Sequence, residues 1–310
     1  MHMQFLTNPT FRIIQHRRVG YIISAVVILL GIGSLILHGG PRYAIDFTGG
    51  TEIMVGFQEH VMEGEVREAL NVLNLTSMEV KAIISQDGSE HIAMKLSAEE
   101  SMGDISGLVL EQLQASYPDN PFEVLTVDKV GPKIGNELKS AALWAIVIAM
   151  FFIILYLTIR FEFKFAIGAI VALAHDVLIT LGIFSLMNYE ISLSIIGAFL
   201  TIIGYSLNDT IVVYDRIREN IKKLKNTVAY DEMINRSINE SLSRTVVTSM
   251  TTLFVVVILL LMGGDVIHNF AFALTVGVIV GTYSSVYIAS PVVLEWQKRS
   301  HRKELLKKKN

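Results

Sequence analysis

The sequence predicts an α-helical polytopic membrane protein with six transmembrane helices and one folded α+β domain between the first two. Three observations carry the prediction: six long apolar stretches, the placement of the basic residues, and one intervening segment of ordinary globular composition. Apolar residues make up 52% of the 310 positions and are concentrated in blocks. A membrane helix needs roughly 20 of them in a row. A transmembrane barrel would need segments of about 10 that alternate apolar and polar, and the blocks do not alternate.

Taken in order, residues 1–18 form a basic N-terminus and 19–37 the first span, too long for a signal-peptide core and read as an uncleaved anchor. Residues 38–140 are the folded domain. The remaining spans are expected at 141–159, 165–187, 191–214, 244–262 and 269–294, with a charged loop at 215–243 and a basic tail at 295–310. Most of the 26 Lys and Arg fall in residues 1–18, 160–164, 215–244 and 295–310, and the loops 188–190 and 263–268 hold none. Basic residues collect on the cytoplasmic side of membranes, so both termini are expected there, and an even number of spans agrees. The short turns at 160–164 and 188–190 make spans two, three and four antiparallel neighbours. The long loop after them predicts a second subcluster of spans five and six. There is no cysteine, so neither disulfides nor thiol chemistry enter.

Within 38–140, Thr51–Phe57 reads as a strand and Val61–Asn74 as an amphipathic helix with Val66, Leu70 and Leu73 on one face. Glu79–Ser85 and His91–Ser97 read as two strands around a turn at Gln86, Asp87, Gly88 and Ser89. A helix at Ala98–Ala115 and a strand at Phe122–Val130 complete the order β-α-β-β-α-β, that of a ferredoxin-like split βαβ unit. Acidic residues outnumber basic ones in this domain, which argues against nucleic acid as a ligand.

An ionised side chain at the centre of a membrane helix costs about 2.5–3.5 kcal/mol on insertion scales, so it is a functional candidate by default. Span three carries His175 and Asp176, span four Asn208 and Asp209, and span five opens on Arg244. At ~1.5 Å per residue, Asp209 lies about 27 Å along its span, at the level where Arg244 begins the next. Asp176 lies about 16 Å from the inner end of span three. Asp209 and Arg244 read either as a structural ion pair or as part of a proton path. Asp176 reads either as a proton carrier or as a buried acid bonded to a neighbouring hydroxyl, and His175 as mainly structural. Asp215, Arg216 and Arg218 at the membrane edge read equally as a solvated charge run.

Ser194, Gly197, Thr201, Gly204 and Asn208 recur at three- and four-residue steps along span four. Gly168, Ala172, Asp176 and Thr180 do the same on span three, and Gly277, Gly281 and Ser284 on span six. Such stripes let membrane helices approach closely. Arg244, Thr248 and Thr251 give span five a polar face.

The segment Ile45-Asp46-Phe47-Thr48-Gly49-Gly50-Thr51 resembles the opening signature of the SecF family of Sec translocase accessory subunits. So does the run from Gly204 through Asn208, Asp209 and Asp215 to Asn220, and so does Asn239–Thr245. The likeness covers essentially the whole chain. It implies membership of the RND superfamily, an obligate partner SecD, and work beside the SecYEG channel on preprotein substrates, with YajC a further partner. It also implies the bacterial cytoplasmic (inner) membrane, with lipid around the spans, and use of the proton gradient. By position, Asp209 and Arg244 match the family's proton-path residues, and Asp176 matches a characteristic family position.

Other classes fit less well. Tyr214-Asp215 and Gly263-Gly264-Asp265 superficially suggest an intramembrane aspartyl protease, but the two acids lie on opposite sides of the membrane and cannot share a proton. No GxSxG elbow, Walker loop or HExxH pair occurs, and no metal or cofactor is expected. An exporter of small molecules or lipids in the same superfamily is the main rival. A purely structural scaffold is the third reading; it predicts that Asp209 and Arg244 tolerate neutral replacement.

Overall fold

The computed structural model describes residues 9–75, 78–84, 88–97, 105–224 and 227–307. After helix α1 (Arg17–Leu37) and a single helical turn α2 (Ile45–Thr48) come β1 (Gly50–Phe57), α3 (Glu63–Leu70), β2 (Met78–Ile84), β3 (Glu90–Leu96), α4 (Ile105–Ser116) and β4 (Phe122–Val130). Then follow α5 (Pro132–Arg160), α6 (Phe163–Leu186), α7 (Leu193–Leu224) and α8 (Tyr230–Met262). The last span is α9 (Asp265–Ser284) and α10 (Ser290–Lys307), joined by a π-helical turn at Ser285–Ala289. Among the described residues, six helices are long and apolar enough to cross a membrane. The turn expected at 86–89 and the start of the helix expected at Ala98–Ala115 lie partly outside the described residues.

The strands form one antiparallel sheet in the order β2-β3-β1-β4, which is the ferredoxin-like arrangement. Alternation puts Ile53 and Val55 of β1 and Ile92, Met94 and Leu96 of β3 into the core, against Val66 and Leu70 of α3 and Val109 and Leu113 of α4. Each of these side chains is essentially removed from water, a gain of about 1.5–3 kcal/mol per large aliphatic residue. Pro132 then starts α5, where its missing N–H costs nothing.

The domain stands on the bundle through a joint built by the Asp46–Thr51 segment and the loop between α6 and α7. The main chains of Arg42–Ala44 and Ile191 pair, with Ile191 N–H donating to Arg42 O (2.7 Å) and Ala44 N–H to Ile191 O (3.0 Å). Asp46 Oδ2 accepts the N–H of Leu193 at 2.7 Å and so caps α7 from outside its own segment. Gly135 lets α5 come close to this segment: a Cβ there would sit 3.0 Å from Gly49 N. Gly50 has φ +135° and a Cβ there would lie 2.3 Å from Leu96 O, so only glycine fits. Around this contact Glu190 takes Lys95 Nζ (3.0 Å) and Arg42 Nη2 (3.2 Å), and Arg42 also reaches Glu79 (2.7 Å).

In the bundle the sixth span packs against the third, fourth and fifth, so the two separate subclusters expected from the long loop do not form. The reason is local. A Cβ on Gly277 would fall within 2.2 Å of the Ile202 side chain, and one on Gly281 within 3.0 Å of Ser206, so the bare α9 backbone lies against α7. The charged segment 215–243 is mostly the helical extensions of α7 and α8, tied by Arg216 to Glu240 (2.7 Å) and Asn220 to Ser237 (3.0 Å).

Candidate functional site

Two buried carboxylates lie on facing helices of the bundle. Helix α6 is apolar over nearly its whole length, and the neighbours of Asp176 on its own face are Ala172 and Thr180; the acid is 0% exposed. Its Oδ2 accepts the hydroxyls of Ser206 from α7 (2.6 Å) and Ser284 from α9 (2.8 Å). Its Oδ1 lies 2.8 Å from Nδ1 of His175. The other ring nitrogen, Nε2, meets Ser24 Oγ of α1 at 2.9 Å. Ser24 meets the hydroxyl of Tyr283 at 3.1 Å, and Tyr283 donates to Gly20 O at 2.8 Å. Four helices therefore converge on one acid. The π-helical turn begins one residue after Ser284, and such insertions in helices accompany functional sites.

Asp209 sits one turn along α7 from Ser206 and is 1% exposed. Its Oδ2 accepts Ser249 Oγ (3.0 Å) and its Oδ1 accepts Thr248 Oγ1 (3.3 Å), both from α8. Ser249 in turn accepts Thr282 Oγ1 of α9 at 2.8 Å. The Thr248 hydroxyl has its own backbone as an alternative, with Thr245 O at 2.9 Å and Arg244 O at 3.1 Å.

The expected contact between Asp209 and Arg244 is not made. Arg244 is exposed one turn before Thr248, and Asp209 forms no ion pair within 4 Å among the described residues. The α8 residues that meet Asp209 are Thr248 and Ser249, one turn further along the helix, and the Arg244 side chain is exposed. The α7 stripe of Ser194, Gly197, Thr201, Gly204 and Asn208 is exposed with it. A Cβ on Gly197 or Gly204 would meet nothing within 4 Å. The α6 stripe of Gly168, Ala172, Asp176 and Thr180 is buried instead, as is the α9 stripe at Gly281 and Ser284.

Asp215, Arg216 and Arg218 knit the end of the bundle away from the domain. Arg160 pairs with Asp215 (3.0 Å), Arg216 with Glu219 (2.6 Å), and Arg218 donates to Arg160 O (3.2 Å). Sequence reasoning read His175 as mainly structural and missed Ser24, Ser206, Ser249, Thr282 and Tyr283 as members of the networks. Ser206 stands three residues before Asp209, a helical-face signal that was available. The others are brought in by tertiary contact alone. Among the described residues no cluster of three or more His, Asp or Glu is gathered as metal ligands would be.

Comparison with known proteins gives the family. Residues 109–299 match the family described as protein export membrane protein SecD/SecF, C-terminal. The chain belongs to the SecD/SecF family. It is 44% identical over 304 residues to protein translocase subunit SecF of Rhodothermus marinus, covering 96% of this chain and 97% of that one. It is 40% identical to protein translocase subunit SecDF of Thermus thermophilus, covering 98% of this chain but 41% of that longer protein. The crystal structure of SecDF from Thermus thermophilus superposes with a TM-score of 0.83 at 38% identity, over 94% of this chain and 39% of that one. A SecDF structure in a super-membrane-facing form gives 0.70 at 39% identity, over 97% of this chain and 41% of that one. The six spans of this SecD/SecF family member make it a multi-pass membrane protein.

Proposed function

We propose that this chain is the SecF-type accessory subunit of the Sec export machinery, and that it uses proton flow to promote preprotein translocation. The observation that carries the reading is Asp209: a carboxylate removed from solvent in a membrane helix, with two hydroxyls from the neighbouring helix as its partners. Among the described residues no ion pair within 4 Å neutralises it. Protonation removes the charge and with it the charge-assisted part of two hydrogen bonds, each worth about 1.5–3 kcal/mol. Thr248 then has its own backbone to turn to, and α7 is freer to shift against α8. One proton crossing the membrane supplies about 2.3 kcal/mol per 100 mV, so a few per stroke suffice to move the domain, which is capped directly onto α7 through Asp46.

Arg244 and Asn208 complete the reading through a partner. An exposed guanidinium and amide along a glycine stripe do not face hydrocarbon; they face another protein. SecD is the partner this fits, since the Thermus relative is a SecDF of which this chain matches less than half. In the assembly Arg244 and the SecD surface flank Asp209, and Asp176 forms a second, deeper station. SecYEG, preproteins and YajC follow from the same role. The bundle end where α1 begins and α10 ends is cytoplasmic, the α/β domain lies on the outer face, and the membrane is the bacterial inner membrane. The relatives matched bear translocase names, which leaves the exporter reading without support.

The test is preprotein translocation into vesicles carrying the full complex, with and without an imposed proton gradient. Asp209→Asn is expected to abolish the gradient-dependent gain and leave the ATP-driven part. A gain equal to wild type would sink the reading.

A further inference from the structure

The bundle has a crevice of about 480 Å³ at its end away from the domain. Its walls are the N-terminal segment (Phe11, Ile13, His16) and the face of the last span that carries Thr282, Tyr283 and Tyr287. Phe11 is held there by Asn239 (2.8 Å) and Ile14 by Asn235 (3.1 Å), so the mouth is a built feature of the fold. Tyr283 therefore touches the crevice on one side and the Asp176 network on the other.

The hydrogens in that network can be counted with every contact made as a hydrogen bond. Gly20 O only accepts, so the Tyr283 hydrogen goes to it, and Ser24 donates to the Tyr283 oxygen. Ser24 then has no hydrogen left for His175, so Nε2 carries one and donates to Ser24. In the neutral ring this leaves Nδ1 bare, 2.8 Å from a carboxylate oxygen. Two acceptors at that distance hold a proton between them. Either Asp176 is a carboxylic acid donating to Nδ1, or the ring is imidazolium against a carboxylate; both are the pair plus one proton.

We propose that His175 and Asp176 form a proton station distinct from Asp209, which discharges to the cytoplasmic crevice through Ser24 and Tyr283. The step balances. The shared proton settles on Nδ1 while Nε2 gives its own to Ser24, Ser24 gives its hydrogen to the Tyr283 oxygen, and Tyr283 swings from Gly20 O and releases its original hydrogen to water in the crevice. One proton leaves, the ring changes tautomer, and Asp176 is left ionised, held by Ser206 and Ser284.

The groups facing the pair are the Ser24 hydroxyl from α1, the Ser206 hydroxyl from α7, and the Ser284 hydroxyl and Tyr283 phenol from α9. The charged or titratable groups of the crevice are Arg12, His16, Tyr283 and Tyr287. This rests on the proton-coupled reading of the chain, and the experiment separates the two. The full complex in proteoliposomes with a trapped pH dye is given a proton gradient, and proton release on the crevice side is timed. Tyr283→Phe keeps the ring, which stacks on His175, and removes only the relaying hydroxyl. It and Ser24→Ala are each expected to slow release at least about tenfold, with the melting temperature of the complex unchanged. Wild-type release in both overturns the station even if Asp209→Asn is inactive, whereas wild-type release in Asp209→Asn overturns the proton-coupled reading instead. Nitrogen NMR of the His175 ring in the wild-type complex gives an answer independent of variant folding. A proton bridging Nδ1 to Asp176, lost in Asp176→Asn, supports the proposal, and a ring bonded at Nε2 alone defeats it.

Discussion

Two glycine stripes that look alike in sequence meet opposite fates in the bundle. Gly277 and Gly281 of α9 lie against Ile202 and Ser206 of α7, with no room for a methyl group. Gly197 and Gly204 of α7 meet nothing, and the same flank carries Asn208 and, on α8, Arg244. Small residues in membrane helices mark where backbones approach, so a stripe that finds no helix in its own chain marks an approach by another. The first stripe builds the subunit. In the function proposed above, the second belongs to the assembly.

The contrast can be broken most severely at the inner contacts. Gly31 of α1 and Gly182 of α6 touch backbone to backbone, and a Cβ on either would lie 2.7 Å from the other's Cα. No side-chain rotation relieves that. Gly182→Leu is expected to cost at least about 3 kcal/mol, at or beyond the upper end of overpacking penalties, and to show as loss of folded protein in detergent. Near-normal yield and melting would mean the two helices are not in contact. Gly204→Leu sharpens the other side. The chain's own stability should move by no more than about 0.5 kcal/mol, as for surface changes elsewhere, while co-purification with a SecD-type partner is lost. A stable complex in that variant would place the partner on another face.

The sequence made the spans and the domain order legible because both rest on periodicity, which is local. Asp176 and Asp209 were legible for the same reason: an acid inside an apolar run stands out whatever surrounds it. Which groups answer them was not. The reach from Ser206 or Ser284 to Asp176 depends on helix rotation and crossing, set by contacts such as Gly281 on Ser206 that no single helix records. Arg244 shows the limit most clearly. Depth along the spans paired it with Asp209, but Asp209 meets α8 one turn further on, at Thr248 and Ser249, and Arg244 is exposed. The motif Asp46–Thr51 read as a family mark; its physical content, a cap for α7 and a glycine that only Leu96 O explains, appears with the sheet in place.

The joint between domain and bundle gives a smaller effect than the inner glycines. Asp46→Ala removes the acceptor for Leu193 N–H and is expected to cost about 0.5–2 kcal/mol, as lost helix caps do. Hydrogen exchange would report it as faster exchange confined to the first turn of α7 and the Arg42–Ala44 pairing. Exchange that rises equally throughout the bundle would mean Asp46 does something other than cap.

The smallest effect lies at Glu52 of β1, beside the same joint. Burial pushes its carboxyl above the ordinary value of 4.5, Glu190 adds to the rise, and Lys95 opposes it. A folded-state value above the unfolded one means the folded chain binds the proton more tightly. Glu52 thus contributes stability that is complete below about pH 4.5 and is lost as pH rises through the folded value. Glu79 runs the other way. Burial raises it, but the bonds from Arg42 and Lys81 outweigh that and hold it low, so its contribution is present at neutral pH and fades on acidification. Replacing Glu52 by Gln removes one slope and leaves the other. Melting of the full chain should therefore rise at neutral pH in Glu52→Gln and match wild type in acid, where Glu52 is already protonated. If the variant gains equally at both ends of the range, the carboxyl's charge is not the cause, and the gain comes from packing against Lys95 across the strand pair.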